Sequence, residues 1–303
     1  MFNRRWWKLT FDIYKDLEET TIWKLHDLEI FTFASSCKKE EKDKLLMEIW
    51  LFKDHWNDTA RISLVEKLSE FFKVNSLFNV IFSWDLIQEE DWTESWKKFW
   101  GPTQIGENLL ILPSWMELPN EFINKKIIKI DPGAAFGTGG HPSTSLCLEE
   151  IERNSLVQKR ILDIGSGSGI LTIASRLFGA KPLYALDIDC LACSSTEDNY
   201  KLNFGNLNDL TIRQGNFSEL VKDKFFPEFD FVVCNILAEV IIQIIPSIFA
   251  VLSNKGQVIL SGIIESKKYE IIKVLDSNKF NVENLTSKND WICIKASKGI
   301  KKL

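Results

Sequence analysis

Leu162-Asp163-Ile164-Gly165-Ser166-Gly167-Ser168-Gly169-Ile170-Leu171 reads as a buried strand that runs through a glycine-rich turn into a helix. Ile161 to Ile164 is apolar and bounded by turn residues, the pattern of a strand covered on both faces of a parallel sheet, and Ile170 to Phe178 carries the helix that follows. Between them the backbone has to come close to a ligand, which glycine permits at the least steric cost. The glycines are spaced G-x-G-x-G, whereas dinucleotide enzymes use G-x-G-x-x-G. A second apolar strand, Leu183-Tyr184-Ala185-Leu186, ends in the pair Asp187-Ile188-Asp189. A carboxylate at Asp187 can accept both hydroxyls of a ribose. The two features together predict a nucleoside cofactor site.

Around this centre, strands and helices alternate as a doubly wound α/β sheet requires. Seven strands are expected, at Arg160–Ile164, Leu183–Asp187, Leu210–Gln214, Phe229–Asn235, Gln257–Ser261, Asn281–Leu285 and Trp291–Lys295. Thr286 to Asp290 is too short for a crossover helix, so the last two strands should pair antiparallel as a hairpin. The spacing of the glycine turn is the one usual in S-adenosylmethionine methyltransferases. The fourth strand ends Asp230-Phe231-Val232-Val233-Cys234-Asn235-Ile236-Leu237-Ala238, which puts Asn235 at the carboxyl edge where ligands of open α/β sheets sit. Its amide can both accept and donate without adding charge.

Upstream lies Asp131-Pro132-Gly133-Ala134-Ala135-Phe136-Gly137-Thr138-Gly139-Gly140-His141-Pro142-Ser143-Thr144, a loop able to fold over a ligand. Phe136 is placed to cover an adenosine or a sulfonium cation. Ser143 or Thr144 is expected to cap a helix beginning near Leu146. His141, held between glycine and proline, is read as a structural hydrogen-bonding residue rather than a general base.

The chain has 303 residues and a net charge of −5, unevenly spread. Residues 1–96 carry 13 Lys and Arg against 19 Asp and Glu, and ten of the eleven tryptophans lie at or before Trp115. Such a module either recognises something basic or is a tryptophan-rich core beneath a solvated acidic face. Its order is βαββαβ, the ferredoxin-like pattern: strand Trp6 to Tyr14, helix Asp16 to His26, strands Leu28 to Ala34 and Leu45 to Phe52, helix Asn57 to Phe72, strand Leu77 to Trp84. Gln88 to Trp100 places Trp92, Trp96 and Trp100 on one helical face, a linker helix that packs onto a domain. The expected division is therefore a small α+β ferredoxin-like domain over 1–87, a linker helix over 88–104 and a seven-stranded Rossmann-like α/β domain over 105–303. The six cysteines are scattered and suit reduced core thiols; Cys190-Leu191-Ala192-Cys193 lacks the second ligand pair that zinc needs. Neither a membrane-spanning run nor a signal-peptide core is visible, so a cytoplasmic protein is expected.

These motifs resemble the ribosomal protein L11 methyltransferases, bacterial class I enzymes that methylate lysine side chains and an N-terminal α-amine. The resemblance is carried by Asp131 to Thr144, Asp163 to Gly169, Asp187-Ile188-Asp189, Asn235-Ile236-Leu237-Ala238 and Leu260-Ser261-Gly262-Ile263. It extends through Trp92 to Trp100, Pro113-Ser114-Trp115 and Trp291, while the first ninety residues agree in element order alone. The resemblance implies S-adenosyl-L-methionine as cofactor, with contacts at Thr144, Gly165, Asp187 and Asn235, and Phe136 beside the methionine moiety; Gly167 belongs to the same turn. It implies a substrate-recognition role for the first domain and a basic ribosomal protein of the large subunit as partner. Gly140 and Ser143 stand where threonine is common and Ser166 where cysteine is frequent. No acid or base follows from the motifs, because a sulfonium neighbour and an apolar pocket both lower an amine's pKa. A nucleic-acid methyltransferase fits less well: Ile236-Leu237-Ala238 lacks the prolines and stacking aromatic of base-flipping enzymes, and the acidic module repels phosphates.

Overall fold

The computed structural model describes residues 5–28, 30, 32–37, 41, 43–88, 101–131, 140–223 and 226–299. The chain divides into two compact units, Met1–Trp100 and Gly101–Leu303. Phe136 and the rest of the loop at 132–139 lie outside the described residues, as does the expected helical stripe of Trp92, Trp96 and Trp100. At the two ends of that expected helix the chain is strand, with Gln88 closing one and Thr103–Ile105 forming another.

The first unit has the predicted element order. Strand β1 (Arg5–Tyr14) leads through a short 3₁₀ turn to α1 (Glu18–Asp27), then β2 (Phe33–Cys37), β3 (Lys44–Phe52), α2 (Asp58–Val74) and β4 (Ser83–Gln88). The sheet order β2-β3-β1-β4, antiparallel throughout, is that of a ferredoxin-like fold. Alternation decides the core face: Leu9, Phe11 and Ile13 of β1 lie opposite Ile49, Met47 and Leu45 of β3, and all six are buried. Leu64, Leu68 and Phe72, four apart on α2, close over them. Asn57 caps α2 by accepting from the Ala60 N–H at 2.9 Å.

One strand is shorter than predicted. Leu77, Val80 and Phe82 do pack on the core, yet the chain coils through left-handed Ser76 and Asn79, and pairing begins only at Ser83. Another is displaced: Phe33–Cys37, rather than Leu28 to Ala34, forms β2, and Ile30 is buried ahead of it.

The second unit opens with three strands that the reading of the sequence did not include: β5 (Thr103–Ile105), β6 (Leu109–Pro113) and β7 (Lys126–Ile130). The seven predicted strands follow as β8 (Ile161–Ile164), β9 (Leu183–Asp187), β10 (Leu210–Gln214), β11 (Phe229–Asn235), β12 (Leu252–Ile264), β13 (Phe280–Lys288) and β14 (Trp291–Lys298). They form one sheet in the order β10-β9-β8-β11-β12-β14-β13. The first five are parallel, and β14 is antiparallel to both its neighbours, as the short connection demands. Helices α3 (Pro142–Glu152), α4 (Ile170–Leu177), α5 (Cys190–Phe204), α6 (Phe217–Leu220), α7 (Ala238–Val251) and α8 (Lys268–Ser277) connect and cover the strands. Side chains of the terminal hairpin fasten α3 and the turn after it: Lys288 to Ser145 at 2.8 Å, Asn284 to Glu150 at 2.9 Å and Lys295 to Asn154 at 2.6 Å. Among the described residues no helix is long and apolar enough to cross a membrane.

Candidate functional site

The chain runs from β8 outward to β9 and β10, then returns to the other side of β8 to begin β11. That reversal leaves a crevice at the carboxyl ends of β8 and β11, the place where open α/β sheets take ligands. Gly165 follows β8, Asp187 ends β9 and Asn235 ends β11, so the topology brings three of the predicted residues to one edge.

The turn after β8 is held in left-handed backbone at Gly165 (φ 74°), Gly167 (φ 53°) and Gly169 (φ 80°). Gly165 must be glycine for a reason other than ligand approach. A Cβ there would stand 2.3 Å from Ile236 Cγ2, and one at Gly262 would stand 2.2 Å from the Ile236 carbonyl oxygen. The segment after Asn235 thus lies between two glycines and is held by them. Gly165 and Ser166 donate their N–H groups to the Leu186 carbonyl at 2.8 and 3.0 Å, which ties the turn to β9.

Asp187 Oδ2 accepts the Gly167 N–H at 3.0 Å, and Oδ1 accepts the Asp189 N–H at 3.1 Å. Each oxygen keeps a lone pair for a further donor, which suits two ribose hydroxyls. Asp189 has a separate task, capping α5 by accepting from the Leu191 N–H at 2.9 Å. Asn235 donates from Nδ2 to Thr144 Oγ1 at 3.1 Å, while its Oδ1 is buried with no partner among the described residues. An orphaned buried acceptor costs about 1–3 kcal/mol, so a donor arriving there is favoured.

Thr144 is fully buried in the first turn of α3. That helix begins at Pro142, earlier than the predicted Leu146, and His141 caps it in place of Ser143 or Thr144. Proline suits the first helical position because its missing N–H has no helical partner there. His141 Nδ1 lies 2.8 Å from Ser143 Oγ and accepts the Ser143 N–H at 3.3 Å, and its ring meets Trp291 edge to face at 4.6 Å. These contacts are structural, as predicted.

Asp163, to which the sequence assigned no role, lies beneath the turn. It is 1% exposed, accepts from the Thr172 hydroxyl at 2.6 Å, and its Oδ1 has no partner among the described residues. Burial, with the negative charge of Asp187 adding to it, pushes its carboxyl up to about 7, against the Thr172 hydrogen bond. The signal was available: a carboxylate in the middle of a fully buried apolar strand. The two cysteines of Cys190-Leu191-Ala192-Cys193 are free and lie in the first turn of α5.

A family model described as ribosomal protein L11 methyltransferase (PrmA) matches residues 5–299. A curated relative of that name from Prochlorococcus marinus strain MIT 9515 is 51% identical over 293 residues, covering 97% of this chain and 98% of the relative. The chain belongs to the ribosomal protein L11 methyltransferase family. A further relative of that name, from Synechococcus sp. strain RCC307, is 34% identical over 94% of this chain and 95% of its own length. The crystal structure of a ribosomal protein L11 methylase from Lactobacillus delbrueckii subsp. bulgaricus superimposes with a TM-score of 0.61 at 33% identity, covering 66% of this chain and all of that one. Membership of the family makes this chain an S-adenosylmethionine-dependent protein methyltransferase.

The crevice suits a nucleoside that carries a sulfonium. Asp187, Asn235 and Thr144 supply acceptors, Asn235 Oδ1 is unmet among the described residues, and none of these three bears a positive charge.

Proposed function

We propose that this chain methylates amines of ribosomal protein L11, both lysine side chains and the N-terminal α-amine, with S-adenosylmethionine held at Thr144, Gly165, Gly167, Asp187 and Asn235 and covered by Phe136. The observation that carries the placement is the buried Asn235 Oδ1, without a partner among the described residues, at the edge where the strand order reverses and one strand removed from Asp187. When bound, the cofactor supplies an electrophilic methyl group on a sulfonium.

The protein's part is alignment and the exclusion of water, since methyl transfer is an in-line displacement. The attacking amine has to be neutral. From a lysine pKa near 10.4, deprotonation at pH 7 costs roughly 4.6 kcal/mol, against about 1 kcal/mol for an α-amine near 7.8. Proximity to the sulfonium cation, beside an Asn235 amide and a Thr144 hydroxyl that add no charge, lowers the amine's pKa, so no catalytic acid or base is assigned. The first unit is read as the substrate-recognition domain, its acidic balance matched to a basic ribosomal protein. A protein acting on ribosomal components works in the cytoplasm.

Incubation with methyl-labelled cofactor and total large-subunit proteins, followed by mass spectrometry, tests this. Label on amines of ribosomal protein L11 is expected. Label confined to another protein, or to nucleic acid, contradicts it.

A further inference from the structure

The glycine turn is loosely constrained by composition, with three glycines in five residues, yet its peptides are held by hydrogen bonds from α5. The Thr196 hydroxyl, fully buried, donates to the Gly167 carbonyl at 3.0 Å, and Ser166 Oγ lies 2.9 Å from the same hydroxyl. Because threonine has one proton to give, Ser166 is the donor in the second contact. One turn further along, the buried Asn199 amide donates to the Ser168 carbonyl at 2.9 Å and to the Asp131 carbonyl at 3.0 Å, and accepts the Asp131 N–H at 2.8 Å. Asn203 repeats the two-way bond on Lys129 at 2.9 and 2.7 Å. Side chains four apart on a helix rise by about 6 Å, close to the two-residue step of a strand, so the two amides stand in for a neighbouring strand along β7.

The consequence lies at Gly167. Its N–H goes to Asp187 Oδ2 and its carbonyl to Thr196, so one residue in left-handed backbone is anchored on both sides. Gly169 touches the same helix so closely that a Cβ would stand 3.0 Å from Thr196 Cα, which leaves the turn no room to slide along α5. We propose that Thr196 is a positioning residue for the transfer site: by holding the Gly167 carbonyl it keeps the Gly167 N–H on Asp187 and so aims that carboxylate at the ribose hydroxyls. Asn199 secures the Ser168 end of the same turn. Glycine loses more freedom on ordering than any other residue, and Thr196 meets part of that cost before the ligand arrives. The inference rests on the nucleoside reading of Asp187.

The test is a double-mutant cycle on cofactor affinity, measured by calorimetry with S-adenosylmethionine, with apo-protein melting followed in parallel. Thr196→Val, which keeps shape and loses the hydroxyl, is expected to raise Kd at least tenfold in the native background and at most twofold beside Asp187→Ala. Thr196→Ser, which keeps the hydroxyl, is expected to stay within threefold of the native Kd. An effect of Thr196→Val below threefold, an equal factor in both backgrounds, or a serine variant as weak as the valine one overturns the proposal. If Thr196→Val fails to fold, Thr196→Ala takes its place in the cycle. Should Asp187→Ala alone bind like the native protein, it is the nucleoside reading of Asp187 that fails, whatever Thr196 does.

Discussion

At the scale of single residues, the site is a set of carboxylates and amides with distinct environments. Asp187 lies at the edge of the crevice with two backbone N–H bonds. Its replacement by alanine is expected to weaken S-adenosylmethionine binding by about 1.5–3 kcal/mol, the range for hydrogen bonds to a charged group, as read by calorimetry. Asp163 is buried and hydrogen-bonded to Thr172, and its Oδ1 has no partner among the described residues. With its carboxyl pushed up to about 7, the folded state binds a proton that the unfolded state releases between about pH 4 and 7. Stability contributed by this group is therefore present below the lower value and lost as pH rises through the upper one. Asparagine keeps an acceptor for Thr172 and does not titrate. The stability of Asp163→Asn relative to the native protein should rise across that window, by roughly 2–4 kcal/mol, and level off above it. Denaturant titrations at pH 5 and 8 check the sign; a difference that does not change with pH contradicts the burial account.

At the scale of elements, the glycines show what sequence reading catches and what it misses. The run Asp163 to Gly169 announced a turn, and Asp187 and Asn235 announced strand ends, because period and punctuation are local. That Gly165 and Gly262 both make room for Ile236 is a long-range fact with no local trace. Gly262→Ala is expected to destabilise the protein by at least about 2 kcal/mol, since the new Cβ faces left-handed strain (φ 79°) together with the Ile236 carbonyl oxygen. A denaturation midpoint equal to that of the native protein contradicts this.

The hairpin at the end of the sheet was legible from the short span 286–290, but the register that places β14 inside and β13 at the edge was not. Its burial follows suit: Ile292, Cys293, Ile294 and Ala296 are buried, whereas β13 is largely exposed. The apolar run Leu109 to Pro113 carried a clear strand signal that the reading passed over, and β6 is buried at every position. The start of β4 was misjudged because Leu77 to Phe82 is apolar enough for a strand, while left-handed Ser76 and Asn79 bend it over the core as a loop. The α3 cap was misplaced because histidine is an unusual cap and a local reading favours Ser143 or Thr144.

At the scale of the whole molecule, each unit has its own core, one around Leu9, Phe11 and Met47 and the other around Val232, Leu260 and Ile294. The described tryptophans of the first unit are largely structural: Trp6 and Trp50 are buried, and the Arg61 guanidinium lies 3.6 Å from the Trp7 ring and 5.3 Å from that of Trp84. Among the described tryptophans of that unit Trp23, 62% exposed, is the exception. The recognition role proposed for that unit therefore draws on its acidic balance more than on its described tryptophans. Removing residues 1–100 is expected to abolish methylation of ribosomal protein L11 while leaving the Kd for S-adenosylmethionine within about threefold, because the second unit holds its own core together with Thr144, Gly165, Asp187 and Asn235. Equal methylation by the truncated and full-length chains contradicts the division of labour.

The central claim is that the cofactor lies across the carboxyl edge of the seven-stranded sheet, between Asp187 and Asn235. A crystal soaked with S-adenosylmethionine tests it most directly. The account predicts ribose hydroxyls within hydrogen-bonding distance of the Asp187 carboxylate and a donor from the ligand on Asn235 Oδ1. Density for the cofactor away from that edge, or a crevice filled by the protein's own side chains, contradicts it.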